Sequence, residues 1–339
     1  RTKENVLLFF AESSTCKRGT RTKRPGIPER WHPGGSIKMT VSADGQTWSV
    51  PRTILPEQHG SGIPKVIANP PVELHKGKQK GWWVLPYWEE VLGYNSTVEG
   101  CVCQGSRRSG VLISHDRGVS WTVSEPLYMP DSWLIEGTIV ERRDGSLLQL
   151  FRTQLRQVYS SVSRDGGMSW SKPTAFGLPN PNAKVHILKL KTSGQDMWAL
   201  AYNHEYDTRK RRRLYVAISA TQGRTWNKVA ELVGMTKREI MSGYPFMVQD
   251  GCKLLVGYSV NEKINHTANP FPTESFLASE PTGIVISEMN LQQVDLTKMT
   301  ELPMIEHGGM ITEPDSFQAK KKEIKRIAPE IFPGINIRI

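Results

Sequence analysis

The sequence has few cysteines and no long hydrophobic run. Its four cysteines, Cys16, Cys101, Cys103 and Cys252, form no C-x-x-C pair and show no Cys/His ligand spacing, so no zinc site is predicted. A run of about 18 apolar residues, the minimum for a transmembrane helix, does not occur. The first residues show no signal-peptide pattern, and the compartment stays open.

Acidic residues are outnumbered by basic ones. The chain of 339 residues has 33 Asp and Glu against 44 Lys and Arg, a formal net charge of +11. This charge fits an acidic partner or polymer, and it fits a basic enzyme equally well. With 38% hydrophobic and 23% charged residues, the composition is that of a globular protein, not a disordered or fibrous one.

A short motif, Ser-x-Asp-x-Gly-x-Ser/Thr-Trp, recurs four times. It is complete at 114–121 and 163–170, one residue shorter at 42–48, and has Thr221 in place of the aspartate at 219–226. Successive copies begin 72, 49 and 56 residues apart, about the length of a four-stranded propeller blade. Each copy predicts a tight turn whose aspartate accepts backbone N–H bonds. The tryptophans are expected to pack these turns against equivalent places on successive blades: Trp48, Trp121, Trp170 and Trp226.

Strand-like runs recur between these motifs. Each unit reads as strand A, turn, strand B, loop, strand C, motif turn and strand D, which is the meander of a β-propeller blade. The first unit begins at strand B and has no inner strand A, so we expect further sequence to complete the ring. The predicted blades lie near residues 4–50, 62–124, 135–172, 180–228 and 242–290, with a C-terminal extension at 291–339.

These repeats resemble the sialidase (neuraminidase) superfamily, where the motif is called the Asp box or BNR repeat. The likeness is closer to the sialidase-like proteins of bacteria and plants, because of the segments 178–185, 200–203 and 243–245. The resemblance covers roughly residues 4–290. It implies an all-β, six-bladed propeller whose first blade is incomplete or missing in this chain. It also implies exo-α-sialidase chemistry, with no cofactor and no metal.

Strand alternation predicts where a site lies on such a fold. The start of strand A and the end of strand B share one end of a blade, and the Asp boxes lie at the other. The resemblance points to Tyr244 as nucleophile, with Glu136 or Glu239 taking its proton. Arg152, at the end of a strand B, fits the recognition of a sugar carboxylate. The predicted substrate-binding residues are Arg152, Asn180, Asn182, Asn203 and Glu89, and the channel mouth also includes Glu12, Asn69, His204 and Asn261.

Simpler interpretations stay open for these residues. Arg152 fits a surface ion pair, and Glu136 fits as its partner. Tyr244 fits an ordinary inner-strand aromatic before a proline. Lys65 and His186 are expected to be solvated on a blade surface. The superfamily uses three arginines for the carboxylate, and the pattern identifies only Arg152.

Two functions compete. The first is a retaining exo-glycosidase with a tyrosine nucleophile that removes terminal sialic acid or a related acidic sugar from glycans. The second is a non-catalytic propeller that binds glycans or serves as a scaffold subunit, with the basic loop 209–213 and the C-terminal tail as places for a protein partner. Nucleic acid is a poor fit, because the basic residues are not interleaved with aromatic ones.

Overall fold

The computed structural model describes residues 5–14, 16, 32–91, 98, 101–102, 104–192, 196–207, 210–233, 240–262 and 281–304. These residues form β-strands with three short 3-10 helices, Gly77–Gln79, Leu291–Gln293 and Leu296–Lys298. The compact unit that contains them ends at Met304. The all-β prediction is therefore confirmed for the described part of the chain.

The strands form five antiparallel sheets, each a propeller blade. Blade 1 consists of β1 (Val6–Ala11), β2 (Ile37–Ser42) and β3 (Arg52–Leu55). Blade 2 consists of β4 (Lys65–Val66), β5 (Val72–Glu73), β6 (Trp83–Glu89), β7 (Arg108–Ser114), β8 (Thr122–Val123) and β9 (Leu127–Tyr128). Blade 3 consists of β10 (Ile135–Glu141), β11 (Leu147–Arg152), β12 (Gln157–Ser163) and β13 (Thr174–Pro179).

The last two blades follow the same order. Blade 4 consists of β14 (His186–Lys189), β15 (Trp198–Asn203), β16 (Leu214–Ser219) and β17 (Asn227–Val233). Blade 5 consists of β18 (Ile240–Asp250), β19 (Lys253–Glu262) and β20 (Pro281–Asn290). The chain then returns to blade 4, where β21 (Thr300–Glu301) pairs with β17. Five blades are therefore described, and a sixth is not among the described residues.

Two predicted bounds differ from the structure. The outer strands β13 and β17 follow the Asp boxes, so blades 3 and 4 run past residues 172 and 228, where the repeat pattern ends. The inner strand of blade 2 begins at Lys65, which pairs with Glu89, and is interrupted before β5. Asn69, predicted at the start of that strand, lies in the interruption because Pro70 and Pro71 lack the N–H groups a ladder needs.

The hydrophobic core lies between neighbouring blades. Strand β15 is buried on both faces, and its side chains alternate between two clusters. Trp198, Leu200 and Tyr202 pack toward blade 3, whereas Ala199 and Ala201 pack toward blade 5. A strand buried on both sides reads as a continuous apolar run, which is why Trp198–Asn203 is recognisable in the sequence.

The Asp boxes close the turns between the third and fourth strands. In the second box, Asp116 Oδ1 accepts from the Ser120 N–H at 2.8 Å, and Ser114 Oγ accepts from the Gly118 N–H at 2.6 Å. The fourth box keeps this geometry without an aspartate, because Thr221 Oγ1 accepts from the Thr225 N–H at 2.8 Å.

The box tryptophans are not equivalent in burial. Trp226 is fully buried and its indole N–H donates to Gly223 O at 3.1 Å. Trp48 is 39% exposed, so it is much less buried than Trp226.

A disulfide that the sequence pattern does not reveal joins blades 1 and 2. Cys16, in the segment after β1, bonds to Cys101, in the segment after β6, across 85 positions of sequence. Closing a loop of this length restricts the unfolded chain and stabilises the fold by about 2–4 kcal/mol. No group of His, Cys, Asp and Glu suited to a metal occurs among the described residues. In that same part of the chain, no helix has the length and hydropathy to span a bilayer.

Candidate active site

A cavity of about 250 Å³ lies where the inner strands begin. Glu89 of blade 2, Glu136 and Arg152 of blade 3, and Tyr244 of blade 5 all line it. The pairing of Ile135 with Arg152 places the start of β10 opposite the end of β11. Four of the predicted site residues therefore reach one cavity from three blades.

Arg152 is the centre of the hydrogen bonding in this cavity. Its Nη1 donates to Glu136 Oε1 at 2.9 Å, and its Nε donates to Asn182 Oδ1 at 2.7 Å. Burial by itself lowers the pKa of Arg152, but the negative charge of Glu136 and the Tyr244 side chain outweigh it, so the pKa is raised. The guanidinium is therefore a permanent positive charge in the site, and it interacts with the side chains of Glu136, Asn182 and Tyr244.

Three residues around Arg152 share a backbone conformation that is unusual for side chains other than glycine. Glu136, Asn182 and Tyr244 have φ of 55°, 58° and 53°, in the left-handed region. Each stands at or just before the inner strand of its blade, and the ladders of β10 and β18 shift register there. Such bulges redirect a side chain out of the pleat. Strain of this kind persists where the surroundings enforce it, and it clusters at functional sites.

Buried amides hold two of these bulges from beneath. Asn69 Nδ2 donates to Glu136 O at 3.0 Å and to Gly137 O at 2.9 Å. Asn203 Nδ2 donates to Ser242 O at 3.0 Å, two residues before Tyr244. Asparagines on the neighbouring blades therefore help to fix the left-handed backbone at Glu136 and Tyr244.

Glu89 is fixed on one side only. Its Oε1 accepts from Ser61 Oγ at 2.6 Å and lies 3.9 Å from Lys65 Nζ. Lys65 is buried, contrary to the expectation of a solvated lysine, and donates to Glu57 O at 2.6 Å. Burial lowers the pKa of Lys65, although the nearby carboxylates of Glu89 and Glu57 oppose this shift.

Several buried polar atoms of the lining residues have no protein partner. Glu89 Oε2, Glu136 Oε2 and Trp133 Nε1 make no hydrogen bond within the described residues. Leaving such a group unpaired costs about 1–3 kcal/mol, so native proteins rarely keep one without a use. Two acceptors and one donor are therefore available to a ligand.

Two further arginines reach the site. Arg107 lines the cavity and its guanidinium lies 5.5 Å from the centre of the Trp133 ring. Arg211, from the basic loop, lies 5.5 Å from the centre of the Tyr244 ring and donates from Nη2 to Asn182 O at 3.1 Å. The loop therefore contacts Tyr244 and Asn182 beside the cavity.

The family model described as a BNR repeat-like domain matches residues 2–256, about three quarters of the chain. This chain belongs to the BNR repeat-like family. The fold agrees, because the propeller is similar to solved sialidases, and the resemblance that the sequence predicts is confirmed.

Three of the similar structures are sialidases with small molecules bound. The Ruminococcus gnavus intramolecular trans-sialidase, solved with oseltamivir carboxylate, has a TM-score of 0.54 at 15% identity over 84% of this chain and 59% of that chain. The leech intramolecular trans-sialidase, solved with 2,7-anhydro-Neu5Ac, has a TM-score of 0.53 at 16% identity over 79% and 38%. The Trypanosoma rangeli sialidase, solved with sialic acid, has a TM-score of 0.52 at 15% identity over 76% and 41%.

The similarity to these three structures supports the fold alone. Identities this low show a shared fold, and function is a separate question. The BNR repeat protein spans 38–59% of the length of those three sialidases. No curated protein matches the chain significantly.

Three predicted substrate-binding residues of the BNR repeat protein do not line the cavity: Asn182, which accepts a hydrogen bond from Arg152, and Asn180 and Asn203. Asn180 and Asn203 are fully buried. Asn180 Oδ1 accepts from the Ala183 N–H at 2.8 Å, and the amide of Asn203 bonds backbone carbonyls. His186 is buried as well, contrary to expectation, with Nδ1 accepting from the Met247 N–H at 2.9 Å. Glu239 lies outside the described residues.

A larger cavity, of about 700 Å³, lies at the other end of the inner strands of the BNR repeat protein. Two of its three lining carboxylates, Glu141 and Asp196, are already engaged. Glu141 accepts from the His75 and Lys76 N–H groups. Asp196 lies 3.2 Å from both Arg143 and Lys189. None of the described left-handed residues lines it. The smaller cavity is therefore the better candidate for chemistry.

Sequence reasoning missed several residues of this site. The run of basic residues at 210–213 was a usable signal for Arg211, since a loop between the second and third strands of blade 4 lies at the site end. Nothing in the pattern around Arg107 or Trp133 distinguishes them from ordinary surface residues. Their position depends on how blades 2 and 3 pack, which no local motif records.

Proposed function

We propose that this BNR repeat protein is a retaining exo-glycosidase that hydrolyses terminal sialic acid or a related acidic sugar. The observation that carries the proposal is the meeting of Tyr244, Glu136 and Arg152 in one cavity, with Tyr244 and Glu136 both held in left-handed backbone. Tyr244 is 49% exposed, which leaves it accessible to a sugar, whereas Glu136 is buried beside it.

Tyr244 is the nucleophile and Glu136 is its base. Glu136 takes the phenolic proton as the Tyr244 oxygen forms a bond to the anomeric carbon. The glycosidic carbon–oxygen bond breaks, and the aglycone leaves with its electron pair and takes a proton from water. A second water then attacks the anomeric carbon and gives one proton to the hydroxide left by the first water. The bond between the Tyr244 oxygen and the anomeric carbon breaks, and Tyr244 recovers its proton from Glu136. One water is consumed overall, and the anomeric configuration is retained.

Arginines recognise the carboxylate of the sugar. Arg152 and Arg107 line the cavity, and Arg211, which lies against the Tyr244 ring, adds a third positive charge close to it. Asn182 orients Arg152, while Glu89 accepts a sugar hydroxyl through its unpartnered oxygen. Asn180 and Asn203 act indirectly, through the backbone that they hold.

The nucleophile is tested by Tyr244→Phe. Turnover is measured as release of a fluorescent aglycone from a sialoside, and we expect a loss of several orders of magnitude because covalent catalysis is removed. Tyr128→Phe is the matched control, since Tyr128 is 50% exposed and does not line the cavity. Full activity of Tyr244→Phe, with melting unchanged, rules out Tyr244 as the nucleophile.

The carboxylate contact is tested by Arg152→Lys. The charge is kept but the planar fork is lost, so KM should rise roughly tenfold or more. Arg164→Lys is the control, because the Arg164 side chain is 78% exposed and lies outside the cavity. Equal KM values for wild type and Arg152→Lys contradict the assigned role.

A glycan-binding propeller without catalysis is the second candidate. It is favoured by the commitment of Arg152 and Glu136 to each other, which leaves Glu136 a single free oxygen. In that case wild-type protein binds a sialylated oligosaccharide in calorimetry but releases no aglycone, and Tyr244→Phe changes neither result. A protein partner for the C-terminal tail belongs to this second candidate.

A sixth blade completes the propeller in this proposal. Blade 5 packs one face against blade 4, and its other face exposes Phe246, Val248, Ile284 and Ile286, at 40%, 46%, 82% and 72%. Apolar surface of this kind is normally covered. If a further blade covers it, Ile286→Lys lowers the melting temperature of the full-length protein by burying an unpaired charge. Unchanged melting contradicts the sixth blade, and conversion of a dimer to a monomer assigns the face to a second copy.

A further inference from the structure

Lys184 is a buried lysine beneath the candidate site. It is 4% exposed, and its Nζ donates to Pro245 O at 2.7 Å. Pro245 follows Tyr244 directly, so this bond fixes the backbone immediately after the left-handed residue Tyr244. Proline has no N–H and a restricted φ, so the bulge has few other ways to be anchored.

The surroundings of Lys184 do not compensate its charge. The titratable groups that interact with it are Glu136 from β10 and His186, the first residue of β14. Burial lowers the pKa of Lys184 to about 8, opposed by the charge of Glu136. Burial and the charge of Lys184 lower the pKa of His186, which is therefore neutral.

A contribution to stability does not explain why a lysine occupies this buried position. Lys184 has no ion pair within 4 Å among the described residues. A buried ammonium without a close carboxylate is costly, and an apolar side chain of similar volume is often neutral or more stable. A role in the site explains why a lysine occupies this position.

We propose that Lys184 is a positioning residue of the candidate site: through the hydrogen bond from its ammonium to Pro245 O, it holds the Tyr244–Pro245 bulge so that Tyr244 faces Arg152. The proposal rests on the proposed function for its effect on turnover. The position of Tyr244 is independent of that function.

The test compares Lys184→Met with Lys189→Met. Lys189 ends β14, the inner strand that follows Lys184, but it pairs with Asp196 at the opposite end of the blade. For Lys184→Met we expect kcat on the sialoside to fall at least tenfold while the unfolding free energy stays the same or rises. Lys189→Met should leave kcat unchanged. A parallel loss of stability and activity in Lys184→Met indicates a merely structural lysine and overturns the proposal.

A pH profile separates charge from packing. In wild type, turnover should fall as the pH rises through about 8, when Lys184 loses its proton. Lys184→Arg should partly rescue activity and extend the plateau to higher pH, because arginine stays protonated. Identical profiles for wild type and Lys184→Arg contradict the role of the ammonium.

A crystal structure of Lys184→Met tests the positioning without any substrate. Tyr244 is expected to leave the left-handed region or to turn away from Arg152. If wild type hydrolyses no acidic glycoside but Tyr244 moves in the variant, the proposed function fails and the positioning role stands. If Tyr244 keeps its conformation in the variant, the positioning role fails whatever the activity.

Discussion

The two ends of the blades use polar residues in opposite ways. At the Asp-box end, a side chain such as Asp116 closes its turn through Ser114 and Ser120, and Thr221 does the same work with a hydroxyl. At the site end, Glu89 and Glu136 each keep a buried oxygen without a partner in the described residues. Asp116 and Thr221 are satisfied within their own turns, although the indole N–H of Trp121 has no partner in the described residues, whereas the unpartnered groups of the site end include carboxylate oxygens that line a cavity.

Backbone strain also differs between the Asp-box end and the site end of the blades. Left-handed residues other than glycine occur at both ends, and those of the box end, Arg117 and Gln222, lie in the tight turns of the boxes. At the site end, Arg156 and Arg213 lie in loops, whereas Glu136, Asn182 and Tyr244 surround one arginine. Strained and unsatisfied groups cost stability, so a protein retains them where function requires them. Stability and function are therefore separated along the length of the same strands.

The largest effect is expected at the box end. Trp226→Ala should lower the free energy of unfolding by about 3–5 kcal/mol, because a fully buried indole leaves a cavity. Trp48→Ala is the matched substitution and should cost less than about 1 kcal/mol, because Trp48 is 39% exposed. Denaturant unfolding measures both. Equal losses mean that burial does not explain how a box tryptophan acts.

Acid should weaken the box end selectively. Hydrogen bonds from the Ser120 side chain and N–H lower the pKa of Asp116 to about 2, and bonds from Ser169 lower that of Asp165 against the effect of burial. The unfolded chain binds protons at higher pH than the folded one, so this stability is present above about pH 4 and is lost toward pH 2.

Two substitutions at the boxes check this sign. Asp116→Asn should flatten the dependence of unfolding free energy on pH below 4. Thr221→Asp should steepen it, because the fourth box then gains a carboxylate that its turn already accommodates. A slope unchanged by both variants contradicts the assignment of acid sensitivity to the boxes.

The smallest effect concerns the strain itself. Arg117→Gly should raise the free energy of unfolding by up to about 1 kcal/mol, because glycine adopts positive φ without a steric penalty. Asn182→Gly relieves the same strain but removes the bond to Arg152, so its gain should be smaller and sialoside turnover should fall. A gain in stability at Asn182 with turnover preserved contradicts a functional role for that residue.

The repeat could be predicted from the sequence because the interactions that form it join residues close together in the chain. A box of eight residues closes its own turn. A strand that is buried on both faces, such as Trp198–Asn203, is recognisable as a mostly apolar run. The strand-end rule then placed Glu136, Arg152 and Tyr244 at one end of the blades. It did not separate Asn180 and Asn203, which hold backbone, from Glu89, which lines the cavity.

The sequence by itself determined the blade repeat, the order of the strands and the face on which the site lies, since each depends on contacts within one blade. Only the tertiary structure decided which residues meet there. The burial of Lys65 and Lys184, the approach of Arg107 and Arg211, and the disulfide between Cys16 and Cys101 depend on contacts between blades. Blade packing brings together residues that are far apart in the sequence, so no short motif predicts these contacts.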